Sequence, residues 1–177
     1  MRQCADQVKK VSLELGGNAP FIVFDDADLE EAVAGALLCK YRNSGQTCIS
    51  ANRMLVQEGI YDDFVERFTG AVAGLRVGSG LEEGVNVGPL IDAPGLEKVE
   101  RHVADARERG AEVLLGGSRH ELGQTFYQPS VLTGVTADMA MSSEETFGPV
   151  AAIARFTAED EAIRIANDTP YGLASYF

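Results

Sequence analysis

The chain has 177 residues, of which 45% are hydrophobic and 24% are charged, a composition typical of one globular domain that folds without disulfides. Its formal net charge of −12 argues against a nucleic-acid-binding protein, because no stretch rich in Lys and Arg is present to displace phosphate counterions. The three cysteines include no CxxC pair, and neither a secretory leader nor a long apolar run is present. These features predict a soluble protein with free thiols in the cytoplasm.

Strand and helix patterns alternate along the first part of the chain. Val11–Leu15 and Phe21–Phe24 are predicted to be short buried strands, because both are rich in β-branched, aromatic or other apolar residues. The acidic stretch Asp25–Glu31 then begins a helix predicted to reach about Tyr41. The residues on its buried face are Leu29, Val33, Ala36 and Leu37. The carboxylates fit helix capping, and they lack the alternating spacing of a calcium loop, so no metal site is predicted.

The same alternation continues to the end of the chain. Further strands are predicted over Arg53–Gln57, Glu112–Leu115, Phe126–Val135 and Pro149–Phe156. Further helices are predicted over Ile60–Leu75, with Phe64, Phe68 and Val72 on one face, over Pro94–Arg109, closed by Gly110, and from the Thr157–Asp160 capping pattern to Asn167. This order predicts an open α/β fold, with a mostly parallel sheet and helices on both faces.

Two residues stand out as candidates for chemistry. Cys48 follows Gly45, Gln46 and Thr47, small and polar residues that leave a thiol accessible, whereas Cys39 lies in an apolar helix and is predicted to serve packing. Glu14, 34 residues before Cys48, stands between an apolar run and two glycines, which places it poorly for a salt bridge. The pair therefore suggests a nucleophile and a general base.

Other polar residues are less clearly assigned by the pattern alone. Arg42, six positions before Cys48, is either a structural arginine or a guanidinium that binds a substrate carboxylate. His102 lies in a charge-dense helix and His120 in a polar loop, so neither has the setting of a catalytic base. Gly78–Gly84 is one residue off the dinucleotide fingerprint and has no clear strand before it, so a phosphate cradle is not predicted there.

Four ordered motifs give the chain a resemblance to a known family. Val11–Pro20, with the sequence VSLELGGNAP, resembles the glutamate signature of the NAD(P)-dependent aldehyde dehydrogenases, and Tyr41–Cys48, YRNSGQTC, resembles their cysteine signature. Ser143–Val150, SEETFGPV, and Asn167–Ala174, NDTPYGLA, are similar to their third and fourth motifs. The resemblance covers essentially the whole chain and implies the catalytic-domain fold of that family.

The resemblance assigns a role to individual residues. Cys48 matches the nucleophile that forms a thiohemiacetal with the aldehyde and, after hydride transfer, a thioester. Glu14 matches the base that activates water for hydrolysis, which calls for a carboxylate in a partly dry site. Glu145 matches the residue that hydrogen-bonds the nicotinamide ribose, and Phe147 matches the ring beside it. Arg42 makes the chain similar to succinate-semialdehyde dehydrogenases, in which it would bind the far carboxylate of the substrate.

The chain departs from the family pattern in what it lacks. Ser50 stands where some relatives have the second cysteine of a redox switch. The N-terminal cofactor domain, which precedes the glutamate motif in family members, and the C-terminal oligomerisation segment are not in the sequence. Residues 1–177 are therefore predicted to be the catalytic domain alone. It is expected to bind NAD or NADP weakly or not at all, and to self-associate through exposed apolar surface.

Two functions of other classes stay open at this point. A Cys48–Glu14 pair could cleave activated esters without a cofactor, as a thiol esterase. Alternatively, the chain could be a non-catalytic module that pairs through its apolar faces. A homo-oligomer acting on a small-molecule aldehyde, with no nucleic-acid or membrane partner, is the prediction that the family resemblance favours.

Overall fold

A computed structural model describes residues 1–177 and contains one five-stranded sheet. Its strands are β1 (Ala19–Val23), β2 (Ala51–Gln57), β3 (Glu112–Leu115), β4 (Ser130–Thr133) and β5 (Val150–Phe156). Their order across the sheet is β1-β2-β5-β4-β3, and all neighbouring pairs are parallel except the antiparallel pair of β3 with β4. The predicted mostly parallel α/β fold is confirmed, with one antiparallel strand at its edge.

The chain also contains six α-helices and one 3₁₀ turn. The helices are α1 (Arg2–Ala5), α2 (Leu29–Tyr41), α3 (Tyr61–Ala73), α4 (Ala93–Glu108), α5 (Ala140–Ser143) and α6 (Glu159–Asn167), and the 3₁₀ turn is Arg42–Gly45. None of these helices combines the length and the apolar composition required to cross a membrane.

Helices cover both faces of the sheet, as the alternation of side chains along β5 illustrates. Ala151 and Ile153 belong to the apolar cluster that includes α2 and α3, whereas Val150 and Ala152 belong to the cluster that includes α4. Phe64 and Phe68 of α3 stack with ring centroids 5.4 Å apart and are fully buried, as their spacing predicts. The sheet thus lies between two hydrophobic cores and contributes side chains to both.

The predicted capping residues of α2 and α4 lie at the ends of these helices in the structure. The Asp28 carboxylate accepts hydrogen bonds from the backbone N–H groups of Glu30 and Glu31, at 3.0 and 3.2 Å, and so caps α2. Gly110 has φ of +98° directly after α4, the left-handed conformation that glycine adopts without strain.

The strand predicted over Val11–Leu15 is wrong. The segment is irregular and pairs with no other strand, and Val11, Leu13 and Leu15 are 47%, 51% and 57% exposed. Its alternating pattern is that of a half-buried strand, but a strand also requires a neighbour to accept its backbone hydrogen bonds. No sheet edge in this structure supplies one.

Two smaller predictions also need correction. The extended stretch Phe126–Val135 contains a strand only over Ser130–Thr133, since the preceding Pro129 has no N–H to contribute to a ladder. At α6, Thr157 pairs with Glu161 and not with Asp160: the Glu161 carboxylate accepts from the Thr157 N–H and hydroxyl at 2.9 and 3.0 Å.

Candidate active site

Cys48 follows a turn of unusual backbone geometry. Directly after α2, Asn43, Ser44 and Gly45 all have left-handed conformations, with φ of 51°, 59° and 73°. Side chains with a Cβ are strained in this region, and two such residues in succession persist only where the surroundings enforce them. Cys48 lies in the tight turn that follows, partly buried, just before β2.

A neighbouring loop clamps this turn. The Ser44 hydroxyl donates to the Gly88 carbonyl and accepts from the Gly88 N–H, both at 3.0 Å. The Gln46 side chain donates to the Pro89 carbonyl at 3.3 Å and accepts from the Ile91 N–H at 2.9 Å. These bonds supply the tertiary contacts that hold the left-handed residues in place.

Gly45 allows the turn to approach the third motif. A Cβ on Gly45 would collide with the carbonyl oxygen of Gly148, so no other residue fits without displacing one of the two loops. The Cys48 turn and the segment that carries Glu145 and Phe147 are therefore packed backbone to backbone.

Replacing Gly45 by alanine is expected to lower the free energy of unfolding by about 3 kcal/mol, from the collision and the left-handed φ together. Urea denaturation of the protein measures this change. Gly70→Ala is the matched control, because Gly70 lies within α3 and its added Cβ would meet nothing within 4 Å. That change is expected to stabilise the helix by up to about 1 kcal/mol. Equal effects of the two substitutions would contradict the close approach.

The segment that follows Glu14 packs against both Cys48 and Glu145. The Gly17 N–H donates to Glu145 Oε1 at 2.9 Å, and a Cβ on Gly17 would collide with the Cys48 carbonyl oxygen. The sheet thus brings residues 128 positions apart into hydrogen-bond contact. Glu14 itself, three residues earlier, is exposed, so the partly dry setting expected for it is not found in this chain.

Phe147 is the second residue of the third motif with a role implied by the resemblance. It has φ of 57°, a strained value for an aromatic residue, and its side chain is 36% exposed. The neighbouring Glu145 is half-buried and uses only Oε1 in a hydrogen bond within the chain. One carboxylate oxygen and one aromatic ring are therefore free to contact a ligand.

Arg42 lies at the end of α2 on the approach to Cys48. Its backbone N–H closes the helix on the Leu38 carbonyl, and its exposed guanidinium makes no ion pair or hydrogen bond within the chain. In a chain of net charge −12, an arginine without an acidic partner is available to bind an external anion.

Lys40, for which the sequence pattern predicts no role, is completely buried beneath the site. Its ammonium donates to Asn52 Oδ1 at 3.1 Å. Burial lowers the pKa of Lys40 to about 8, and the nearby Cys39 and Glu145 oppose that shift. The signal in the sequence was a lone lysine inside an otherwise apolar helical stretch.

His102 was assigned no role by its pattern, but it is fully buried against the third motif. Its Nε2 lies 3.2 Å from Glu144 Oε2, and its Nδ1 lies 3.1 Å from Thr146 Oγ1. Burial lowers the pKa of His102, while Glu144 acts in the opposite direction. The signal available was its place three residues after Val99, on the apolar stripe of α4.

A large cleft lies elsewhere in the structure. It has a volume of about 660 Å³ and lies between the sheet and α6, where it is lined by Arg53, Arg155 and the beginning of the fourth motif, Asn167–Pro170. None of Cys48, Glu14, Arg42, Glu145 or Phe147 lines it. The backbone contacts around Cys48 identify the candidate active site, and cleft size does not.

Comparison with known proteins gives the family of the chain. The model of the aldehyde dehydrogenase family matches residues 1–177. The 3-sulfolactaldehyde dehydrogenase of Pseudomonas putida is 59% identical over 99% of the chain, and the succinate-semialdehyde dehydrogenase [NADP(+)] of Escherichia coli (strain K12) is 58% identical over all of it. The chain spans 36% and 37% of the length of these two relatives.

A solved structure has the same fold. The succinate-semialdehyde dehydrogenase from Burkholderia pseudomallei superposes with a TM-score of 0.94 at 55% identity, over 99% of this chain and 36% of that protein. The chain is thus similar in both sequence and fold to about one third of a longer polypeptide.

Proposed function

Because the chain belongs to the aldehyde dehydrogenase family, we propose that residues 1–177 form the nucleophile-bearing catalytic domain of a longer enzyme. That enzyme oxidises an aldehyde with a negatively charged far end to the corresponding acid, with NAD or NADP as cofactor. The observation that carries the proposal is the packing of the Cys48 turn against Gly17, which follows Glu14, and against Gly148, which follows Glu145 and Phe147.

Cys48 performs the covalent step. Its thiolate attacks the aldehyde carbon, the carbonyl double bond opens, and the oxygen takes up a proton to give a thiohemiacetal. Loss of a hydride from the carbon of this adduct, which the bound cofactor would accept, together with loss of the hydroxyl proton to water, would leave a thioester on Cys48. The clamped turn fixes the direction of the attack, because its backbone is held by Ser44 and Gln46 from one side and by Gly148 from the other.

Glu14 performs the hydrolytic step. Its carboxylate takes a proton from a water molecule, the resulting hydroxide adds to the thioester carbonyl, and the Cys48 thiolate leaves. The exposure of Glu14 leaves its side chain free to reach water, while the contact between Gly17 and Cys48 keeps the residues that follow Glu14 beside the nucleophile.

Glu145 and Phe147 are the residues of this chain that fit a nicotinamide cofactor. Oε2 of Glu145 can accept hydrogen bonds from ribose hydroxyls, since only Oε1 is used within the chain, and the exposed ring of Phe147 offers an apolar surface to the nicotinamide. When bound, the cofactor supplies the two-electron oxidant. Glu145 and Phe147 would orient it.

Arg42 binds the far end of the substrate in this proposal. Replacing Arg42 by glutamine in the full-length enzyme is expected to raise KM for succinate semialdehyde about tenfold to a hundredfold, through loss of one charge-assisted fork. An uncharged aldehyde of similar length should be oxidised with unchanged KM. Steady-state formation of the reduced nucleotide measures both, and it also tests the proposed oxidation itself.

Arg67→Gln is the control for this experiment, because Arg67 is an exposed arginine of α3 whose only partner is Glu30, at 3.9 Å. It should leave both KM values unchanged. If the Arg42 variant has KM values raised equally for the charged and the uncharged substrate, recognition of the substrate carboxylate by Arg42 is contradicted. Absence of any nucleotide-dependent oxidation by the unaltered enzyme would contradict the proposed function.

The cellular location and the oligomeric state of the enzyme are further parts of the proposal. Cys4, Cys39 and Cys48 are all free thiols, which fits a reducing compartment such as the cytoplasm. Large apolar side chains such as Leu81 and Ile91, 98% and 81% exposed, fit burial against a second subunit. On this support we propose that the enzyme works in the cytoplasm as a homo-oligomer.

A further inference from the structure

His102 contacts the two residues on either side of Glu145. It is 0% exposed, and its two ring nitrogens lie within hydrogen-bond distance of Glu144 and Thr146. Both contacts are long-range, joining α4 to a segment more than 40 positions further along the chain. A buried imidazole with both nitrogens used in this way fixes the segment at two points.

The hydrogen positions follow from the chemistry of the two partners. A carboxylate only accepts, so Nε2 carries the hydrogen and donates to Glu144, and Nδ1 of the neutral ring accepts from the Thr146 hydroxyl. The neutral form fits its surroundings, because burial lowers the pKa of His102 and the nearby Lys98 and Arg101 act in the same direction.

The geometry of the segment makes these contacts matter for Glu145. The backbone at Glu144 is extended, with φ of −113° and ψ of 143°, and side chains alternate sides along extended backbone. Glu144 and Thr146 therefore point to one side, toward His102, and Glu145 points to the other, where its Oε1 accepts from the Gly17 N–H. His102 and Gly17 hold the segment from opposite sides.

We propose that His102 is a positioning residue for nucleotide binding: by holding Glu144 and Thr146, it sets the place of the Glu145 carboxylate. The role rests on the proposed function, in which Glu145 contacts the nicotinamide ribose. His102 touches neither substrate nor cofactor, and it acts only through Glu145.

The test compares a reaction that needs the nucleotide with one that does not, in the full-length enzyme. His102→Leu keeps a side chain of similar volume in the core and removes both hydrogen bonds. We expect kcat/KM for NAD⁺ and NADP⁺ to fall about tenfold, while the rate of Cys48 alkylation by iodoacetamide stays within about twofold. A structural role alone would change both rates together.

A double-mutant cycle makes the test specific for Glu145. Glu145→Ala alone should lower kcat/KM for the nucleotide, and adding His102→Leu to it should cause no further loss, since the group that His102 positions is gone. Val103→Ala, a neighbouring buried residue of α4, is the control for lost packing. It should leave kcat/KM for the nucleotide unchanged.

If His102→Leu fails to fold, Glu144→Ala replaces it, because the Glu144 side chain is 57% exposed and its loss removes one of the two contacts without opening the core. Additive losses in the cycle, or a parallel loss of alkylation, would overturn the role of His102 while leaving the proposed function intact. An unaltered enzyme without nucleotide-dependent aldehyde oxidation would overturn both.

Discussion

Replacing Cys48 by serine is expected to lower the rate of aldehyde oxidation by the full-length enzyme at least about a thousandfold. A serine hydroxyl has almost no ionised fraction at neutral pH, whereas a cysteine thiol is partly ionised and intrinsically more nucleophilic. The serine hydroxyl would also form an ester in place of a thioester, and water hydrolyses an ester more slowly than a thioester. Absorbance of the reduced nucleotide, with succinate semialdehyde as substrate, measures the loss.

Cys39→Ser is the matched control for this substitution. Cys39 is also a partly buried free thiol near the same turn, with its Sγ 4.0 Å from the Ile49 carbonyl. We expect its replacement to leave kcat within about twofold, because it has no role in the covalent step. Loss of activity in the Cys39 variant and its retention in the Cys48 variant would show that the nucleophile has been assigned to the wrong thiol.

The four longer helices were predictable because their signals are local, whereas the short α1 and α5 were not predicted. Asp28 caps α2, Phe64 and Phe68 repeat at the helical period in α3, and Gly110 ends α4, and each of these features acts within one or two turns of the chain. The predicted bounds differ from those in the structure by a few residues at most. Periodicity alone was sufficient for this level of the fold.

The strands were less predictable because a strand is defined by its partner. Val11–Leu15 alternates as a strand should, but no neighbouring strand accepts its backbone hydrogen bonds. Phe21–Phe24, with a similar composition, pairs with β2 through most of its length and lies within or beside β1. The difference between the two segments lies in the tertiary structure, which a local pattern does not contain.

The motif residues of the candidate site were found from the sequence, whereas the residues beneath them were not. Lys40 and His102 are polar residues of kinds that usually lie at the surface, but both are completely buried. Their partners, Asn52, Glu144 and Thr146, lie 12 to 44 positions away. Hydrogen bonds between such distant residues depend on the folded chain. Local sequence patterns therefore do not predict them.

Replacing Glu14 by glutamine is expected to separate the two halves of the reaction. Oxidation of the aldehyde should continue once per active site, because Cys48 and the cofactor residues are unchanged. Steady-state turnover should fall by about 10²- to 10⁴-fold, because the amide cannot take a proton from water and the thioester accumulates. Rapid-mixing absorbance should therefore show a burst of about one reduced nucleotide per site, and intact-protein mass spectrometry should show the acyl group on Cys48.

Glu66→Gln serves as the control, because Glu66 is an exposed glutamate of α3 outside the site and the change is the same in size and charge. It should leave both the burst and the steady state unchanged. Loss of the burst in the Glu14 variant would place Glu14 in the covalent step and not in hydrolysis. Full turnover in that variant would mean that another group activates the water. Glu14 would then be an exposed surface residue without a role in hydrolysis.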